Sequence, residues 1–296
     1  MKPPPFDYYA PETLDEALAL MAQHGYGAKA LAGGQSLVPT MNFRLAAPSV
    51  LVDLNRILDL SYIRTASDGG LLIGAMTRHA QAEKSPKVAD TYPLLHATMP
   101  NIGHPQIRNR GTLGGSIAHA DPAAELPALL RAVQGRIKAQ SARGSRWIDA
   151  DDFFTGFFTT ALAEDELITE IHLPPLPAGS GWAMQEVARR HGDFALVGVF
   201  AVLKLDASGR CEHVRISMFG VGDGPMLAET AMGVLRGEKL DDDAIATAAE
   251  AAAQKDVDPP SDVHATAAFR RHLVNVLVKR TLTQALARAA GQEVTA

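Results

Sequence analysis

No stretch of this chain looks less like an ordinary core element than Asn109-Arg110-Gly111-Thr112-Leu113-Gly114-Gly115-Ser116-Ile117-Ala118-His119-Ala120-Asp121-Pro122. Three glycines fall within residues 111–115, and Thr112 and Ser116 add hydroxyls. Glycine lacks the Cβ that keeps a ligand away from the backbone, and it tolerates positive φ. Consecutive backbone N–H groups in such a turn can converge on an anion. We read the stretch as a glycine loop, because apolar packing alone does not call for this density of small polar groups.

A second segment repeats that chemistry nearer the start. Lys29-Ala30-Leu31-Ala32-Gly33-Gly34-Gln35-Ser36-Leu37 is a short strand feeding a glycine pair and then an amide and a hydroxyl. A diphosphate fits this description, and Lys29 adds charge nearby. The segment is not the G-x-G-x-x-G dinucleotide fingerprint, and it lacks the Lys-Ser/Thr ending of a P-loop. Either loop alone is ordinary turn punctuation. Two with the same chemistry suggest a ligand with a long polar spine, such as a dinucleotide.

Around these loops the pattern is α+β. Residues 13–24 read as a helix with Thr13 as N-cap, Glu16 completing a capping box, and Gly25 ending it. Strands are expected at 28–31, 50–54 and 71–75, which makes the opening a compact β-α-β-like unit. Helical patterns cover 77–84, 86–98 and 123–133, with Pro122 suited to a first turn. Two further strands are expected near 136–140 and 166–173. Pro174-Pro175-Leu176-Pro177-Ala178-Gly179-Ser180-Gly181 is the clearest linker. Strand-like runs at 182–187, 195–205 and 214–220 then suggest an antiparallel meander. Alanine- and leucine-rich helices follow at 226–236, 241–254 and 266–290. Arg270, Arg271, Lys279 and Arg280 on the last helix read as a solvated face or a subunit contact.

Composition excludes several functions. The chain has 296 residues, 47% hydrophobic and 21% charged, with net charge −5 and no basic tract, so nucleic acid is a poor partner. No run approaches the roughly 18 apolar residues of a membrane span, and the N-terminal Met1-Lys2-Pro3-Pro4-Pro5 lacks the apolar region of a signal peptide. The expected location is the cytoplasm. A single cysteine, Cys211, rules out an internal disulfide and a cluster ligated by about four thiolates. Redox chemistry here needs an organic cofactor or metals on another chain. The ten histidines include no H-E-x-x-H pair, and Gly115-Ser116 lacks the G-x-S-x-G elbow, so neither a metal site nor a serine nucleophile is expected.

Four ordered motifs give the chain a family resemblance: residues 32–37, residues 108–127, Glu166-Leu167-Ile168-Thr169-Glu170-Ile171, and Arg189-Arg190-His191-Gly192-Asp193-Phe194-Ala195. The sequence resembles, over nearly its whole length, the FAD-binding medium subunit of molybdenum hydroxylases such as the carbon monoxide, quinoline, nicotine, caffeine and xanthine dehydrogenases. The resemblance implies a two-subdomain FAD-binding domain of the vanillyl-alcohol-oxidase (PCMH) type at 1–177, divided near 55. It also implies a domain like the carbon monoxide dehydrogenase flavoprotein C-terminal domain at 178–290, then a tail at 291–296. Lys29, Ala32, Gly33, Gly34, Gln35, Ser36 and Leu37 would then surround the FAD diphosphate. Ile102 and Gly103 would lie along the flavin or ribityl part, with Thr112, Gly115 and Ser116 along the ribityl–diphosphate stretch. Ala118, His119 and Asp121 would be near the cofactor, Glu125 near the adenosine, Leu167 and Ile168 beside the adenine, and Asp193 and Phe194 near the isoalloxazine. Two positions depart from many or some relatives: Ser116 stands for an asparagine and Glu186 for a lysine. No acid–base pair is expected in this chain.

The function implied is electron transfer. A large subunit would hold the molybdopterin cofactor and a small subunit two [2Fe-2S] clusters, in a dimer of heterotrimers, with this chain passing electrons to an external acceptor. The alternatives are a self-contained flavin oxidase or reductase of the same fold, and a non-catalytic nucleotide-binding module.

Overall fold

The computed structural model describes residues 2–292, so most of the tail expected at 291–296 lies outside the described residues. The first helix, Leu14–His24, is set by its capping box. The Glu16 N–H donates to Thr13 Oγ1, and the Glu16 carboxylate accepts from the Thr13 N–H, both at 3.3 Å. Ala17, Leu18 and Met21 bury its inner face against a small parallel sheet. That sheet has Val50–Asp53 at its centre, with Asp7–Tyr9 and Ala28–Leu31 on either side. The strand Asp7–Tyr9 was not expected, because it follows three prolines and is only a tripeptide long. Leu31 pairs with Asp53, so both chain segments leave the sheet at the same edge. Crevices beyond the carboxyl ends of parallel strands are where such sheets bind ligands.

A five-stranded antiparallel sheet follows, in the order Ile63–Thr65, Leu71–Gly74, Leu167–Leu173, Arg136–Ser141 and Gly144–Asp149. Alternation puts Leu71, Ile73, Ile137, Ala139, Ile148, Ile171 and Leu173 on the covered face. The helical pattern at 86–98 resolves into Pro86–Thr91 and Pro93–Thr98, because a proline cannot continue a helix interior. The helix expected at 123–133 is Glu125–Ala132, and Pro122 precedes it rather than occupying its first turn.

The main correction concerns the second glycine segment. It is not a loop throughout: Leu113–His119 is a helix, capped by Thr112, whose Oγ1 accepts from the Gly115 N–H at 3.1 Å. Packing also explains part of its glycine content. A Cβ on Gly114 would sit 2.5 Å from the Ala75 Cβ, so this glycine lets the helix lie directly on the neighbouring backbone.

Strands Gly181–Ala188, Ala195–Leu205, Cys211–Phe219 and Met226–Leu227 form the expected antiparallel meander, in chain order. Val197, Val199, Ala201 and Leu203 face helices Glu229–Leu235, Asp242–Lys255 and Ala267–Ala289. Phe200, Val202 and Phe219 face the other way and join the core of the preceding region, with Leu126, Leu129 and Leu130. The architecture is therefore α+β, with one apolar core shared between the middle sheet and the C-terminal sheet. Arg270 corrects the reading of the last helix as solvated. It is buried, and its guanidinium binds the Leu196 and Gly220 carbonyls and the Asp262 carboxylate. Arg271 likewise donates to the Ala253 and Val257 carbonyls.

Candidate functional site

The parallel sheet delivers Ala32–Gln35 and Asp53–Asn55 to one crevice, and the second glycine segment closes it. A Cβ on Gly33 would lie 2.4 Å from the Arg110 carbonyl oxygen, so the two segments touch backbone to backbone. Gly34 has φ +73, a conformation that costs a side-chain-bearing residue energy. A Cβ on Gly115 would be 3.4 Å from the Ala32 Cβ. An open cavity of about 420 Å³ lies at this junction. Leu31 to Gln35, Val38, Pro39, Asp53, Asn55, Ile107 and Arg110 line it.

Several expected site residues meet here and others do not. Ala32, Gly33, Gly34 and Gln35 line the cavity, and Gly115 borders it through Ala32. The Gln35 amide donates to the Gly33 carbonyl at 3.0 Å, which holds the turn from within. Ser36 and Leu37 begin the next helix, Leu37–Asn42. Lys29 is exposed and outside the lining. The Ser116 hydroxyl makes no hydrogen bond among the described residues, while Ala118 faces solvent. His119 packs against Phe158 with ring centroids 5.0 Å apart and the rings tilted by 48°, and the Asp121 carboxylate accepts from the Ala123 N–H. Ile102, Leu167 and Ile168 are buried in the apolar cores.

The Gly-Asp-Phe motif comes back to the second segment from the C-terminal sheet. A Cβ on Gly192 would lie 2.5 Å from His104 Nδ1 and 2.9 Å from the Gly103 carbonyl oxygen. This places Asp193 and the exposed Phe194 beside Gly103, at the side of the molecule where Ile107 reaches the cavity.

Sequence reasoning missed Asp53, Asn55, Arg78, Ile107 and Arg110. Asn55 Nδ2 donates to the Ala32 carbonyl at 2.9 Å, and the Arg78 guanidinium donates to Asn55 Oδ1 and to the Arg110 carbonyl. Tyr8 donates to Asp53 Oδ2 at 2.5 Å. The available signal was the carboxyl end of the strand Val50–Asp53, where an open parallel sheet presents its ligand groups.

Burial raises the pKa of two carboxyls that face one another across the middle core, Glu125 and Glu186. Glu125, at the start of its helix, is buried and pushed up to about 7, first by desolvation and then by Asp121. Glu186, on the strand face toward the same core, is pushed up to about 8 by desolvation and by the Glu125 charge, and its Oε2 has no hydrogen-bond partner. An unfolded glutamate titrates near about 4.3. The folded chain thus holds protons that the unfolded chain has lost, and stability falls as pH rises from about 4.3 through these values. Glu186→Gln is expected to raise the melting temperature at pH 8 and to leave it nearly unchanged at pH 4. Equal shifts at both values would rule out this assignment. His79, buried against Gly111, is held neutral by desolvation, down to about 4.

Among the described residues no three His, Cys, Asp or Glu side chains form a metal-binding group, and no helix is long and apolar enough to cross a membrane.

Residues 4–176 match the family model of the FAD binding domain in molybdopterin dehydrogenase, and residues 182–285 that of the CO dehydrogenase flavoprotein C-terminal domain. The chain is 45% identical to subunit alpha of the 6-hydroxypseudooxynicotine dehydrogenase complex of Paenarthrobacter nicotinovorans, over 98% of this chain and 97% of that one. It is 42% identical to the nicotine 6-hydroxylase medium subunit of the same organism, over 97% and 100%. Its structure resembles a chain of carbon monoxide dehydrogenase from Hydrogenophaga pseudoflava, with TM-score 0.93, 40% identity, and 97% and 99% of the two chains covered. A chain of quinoline 2-oxidoreductase from Pseudomonas putida 86 is similar with TM-score 0.91 and 38% identity, covering 98% and 99%.

Proposed function

Because the chain belongs to the family of FAD-binding medium subunits of molybdenum hydroxylases, we propose that it takes electrons from the iron–sulfur clusters of a partner subunit and passes them to an external acceptor. The observation that carries this reading is the backbone contact between the two glycine segments beside the cavity. The fit to FAD rests on the donor chemistry: glycines without Cβ atoms, an arginine and small polar groups surround a space suited to a diphosphate. Bound FAD supplies the chemistry that exchanges electrons one or two at a time.

This chain's residues bind and orient the group. Gly33, Gly34, Thr112 and Ser116 give backbone and hydroxyl donors along the diphosphate and ribityl part, Gly115 leaves room there by lacking a Cβ beside Ala32, and Lys29, Ala32, Gln35, Ser36 and Leu37 lie around them. Glu125, Leu167 and Ile168 border the adenosine portion. Asp193 and Phe194, carried onto Gly103 by Gly192, lie at the flavin end with Ile102, and Ala118, His119 and Asp121 lie near the cofactor. No residue of this chain is assigned a proton-transfer step.

The partners are a large molybdopterin-binding subunit and a small subunit with [2Fe-2S] clusters, assembled as a dimer of heterotrimers. Phe43, Leu45 and Phe157 are exposed apolar side chains of the kind that subunit contacts cover. The test uses the complex purified through this chain. Substrate should bleach both the iron–sulfur and the flavin absorbance. Removing the flavin should stop transfer to the external acceptor while iron–sulfur bleaching persists. A chain that purifies alone and oxidises a substrate unaided would overturn the subunit reading.

A further inference from the structure

We infer that Arg110 and Arg78 form a two-arginine anchor for the cofactor's diphosphate, Arg110 as its contacting counter-charge at the cavity mouth and Arg78 as a positioning residue behind the backbone. This rests on the reading that the cavity holds FAD.

Arg110 lines the cavity beside Gly33, Gly34 and Gln35, and it is exposed there. Among the described residues its guanidinium has neither an ion pair nor a hydrogen bond. A guanidinium with free donors on a residue that lines a glycine-rich cavity is suited to a phosphate oxygen pair.

Arg78 approaches from the other side. One terminal nitrogen donates to the Arg110 carbonyl and the other to Asn55 Oδ1, and Asn55 in turn donates to the Ala32 carbonyl at 2.9 Å. One planar group therefore ties the second glycine segment directly and the first through a single side chain. The backbone of Arg78 is fixed to the same region by a bridge to Thr112. The brace is anchored in turn by Asp53, whose Oδ1 accepts from the Asn55 N–H at 2.9 Å and whose Oδ2 accepts from Tyr8.

The charges point the same way. Arg78 is half-buried and has no ion pair among the described residues. Asp53 acts on it as an opposing charge, but from beyond ion-pair distance, and its two oxygens accept from Tyr8 and Asn55 rather than from Arg78. Burial and the like charge of Arg110 lower the Arg78 pKa. A half-buried cation without a bound counter-charge is costly to maintain, and a diphosphate in the adjoining cavity would supply that counter-charge.

The roles separate in a titration of the full-length chain, stripped of flavin, with FAD and with ADP, which shares the diphosphate. Arg110→Gln should weaken both ligands about tenfold to a hundredfold, the range of one charge-assisted hydrogen bond. Arg110→Lys should recover part of that loss, since it keeps the charge but not the paired donors that match two phosphate oxygens. Arg78→Gln and Arg78→Lys should both weaken binding, because an ammonium cannot span two fixed acceptors in one plane. Wild-type affinity should fall with ionic strength more steeply than that of Arg110→Gln. Arg110→Gln binding as tightly as wild type, or Arg78→Lys restoring full affinity, would overturn the anchor. If Arg78 variants fail to fold, the Arg110 pair and its salt slope decide the question. A folded wild type that takes up neither FAD nor ADP would instead refute the flavin reading on which the anchor depends.

Discussion

Gly33→Ala is expected to give a folded, nearly colourless protein. The added methyl would meet the Arg110 carbonyl oxygen at 2.4 Å, the Gly111 Cα at 2.8 Å and the Arg110 carbonyl carbon at 2.9 Å. All three are backbone atoms of the opposite segment, so no side chain can swing aside. The two segments must part, and the Ala32 and Arg110 carbonyls would then move relative to Asn55 and Arg78, which hold them. Displacing a site by about 1 Å costs on the order of a hundredfold in function, and flavin content after purification should fall below about a tenth of the wild-type value. The overall fold should survive, because Gly33 lies at the edge of the sheet rather than in either large core. Gly156→Ala is the control: nothing lies within 4 Å of its Cβ position. Stoichiometric flavin in Gly33→Ala would show that the contact between the segments does not form the site.

Phe219→Ala is expected to lower global stability by about 3–5 kcal/mol, the usual cost of emptying a large buried aromatic site. The ring is fully buried, packs against Phe200 with centroids 5.7 Å apart, and covers Gly198, whose Cβ would fall 2.0 Å from the ring. It belongs to the C-terminal sheet but packs in the core of the preceding region, with Leu126 and Leu129 from the helix that begins at Glu125. A cavity there loosens both regions at once. The melting transition should stay single and move down by about 10 °C, in line with the few degrees per kcal/mol of a chain this large. A split transition in calorimetry, with one half unmoved, would contradict the shared core.

Local rules made much of the fold legible. The Thr13–Glu16 capping box, the turn at Asp206-Ala207-Ser208-Gly209 and the long apolar run at 195–205 each determine an element from neighbouring residues. The errors arose where distant residues decide. Leu113–His119 is a helix despite its glycine pair because it lies on Ala75 and is capped by Thr112, and only the first of those contacts requires the folded chain. Arg270 reads as solvated from its helix, yet the strand end at Leu196 and the turn at Gly220 bring it two carbonyls.

The candidate site divides in the same way. Gly33, Gly34 and Gly115 announce themselves through glycine and small polar residues in series. Asn55 and Arg78 do not, because each acts across more than twenty residues of intervening chain on a backbone carbonyl that carries no sequence signal. Arg110 belongs to the second glycine segment, but only the folded chain shows that its guanidinium is left without a partner among the described residues at the cavity.

The most direct measurement is the flavin content of the full-length chain, read as the visible spectrum of the purified protein and the identity of the flavin released by acid. About one FAD per chain is expected, bound without a covalent link and lost in Gly33→Ala. A correctly folded chain that is colourless and does not take up added FAD would contradict it.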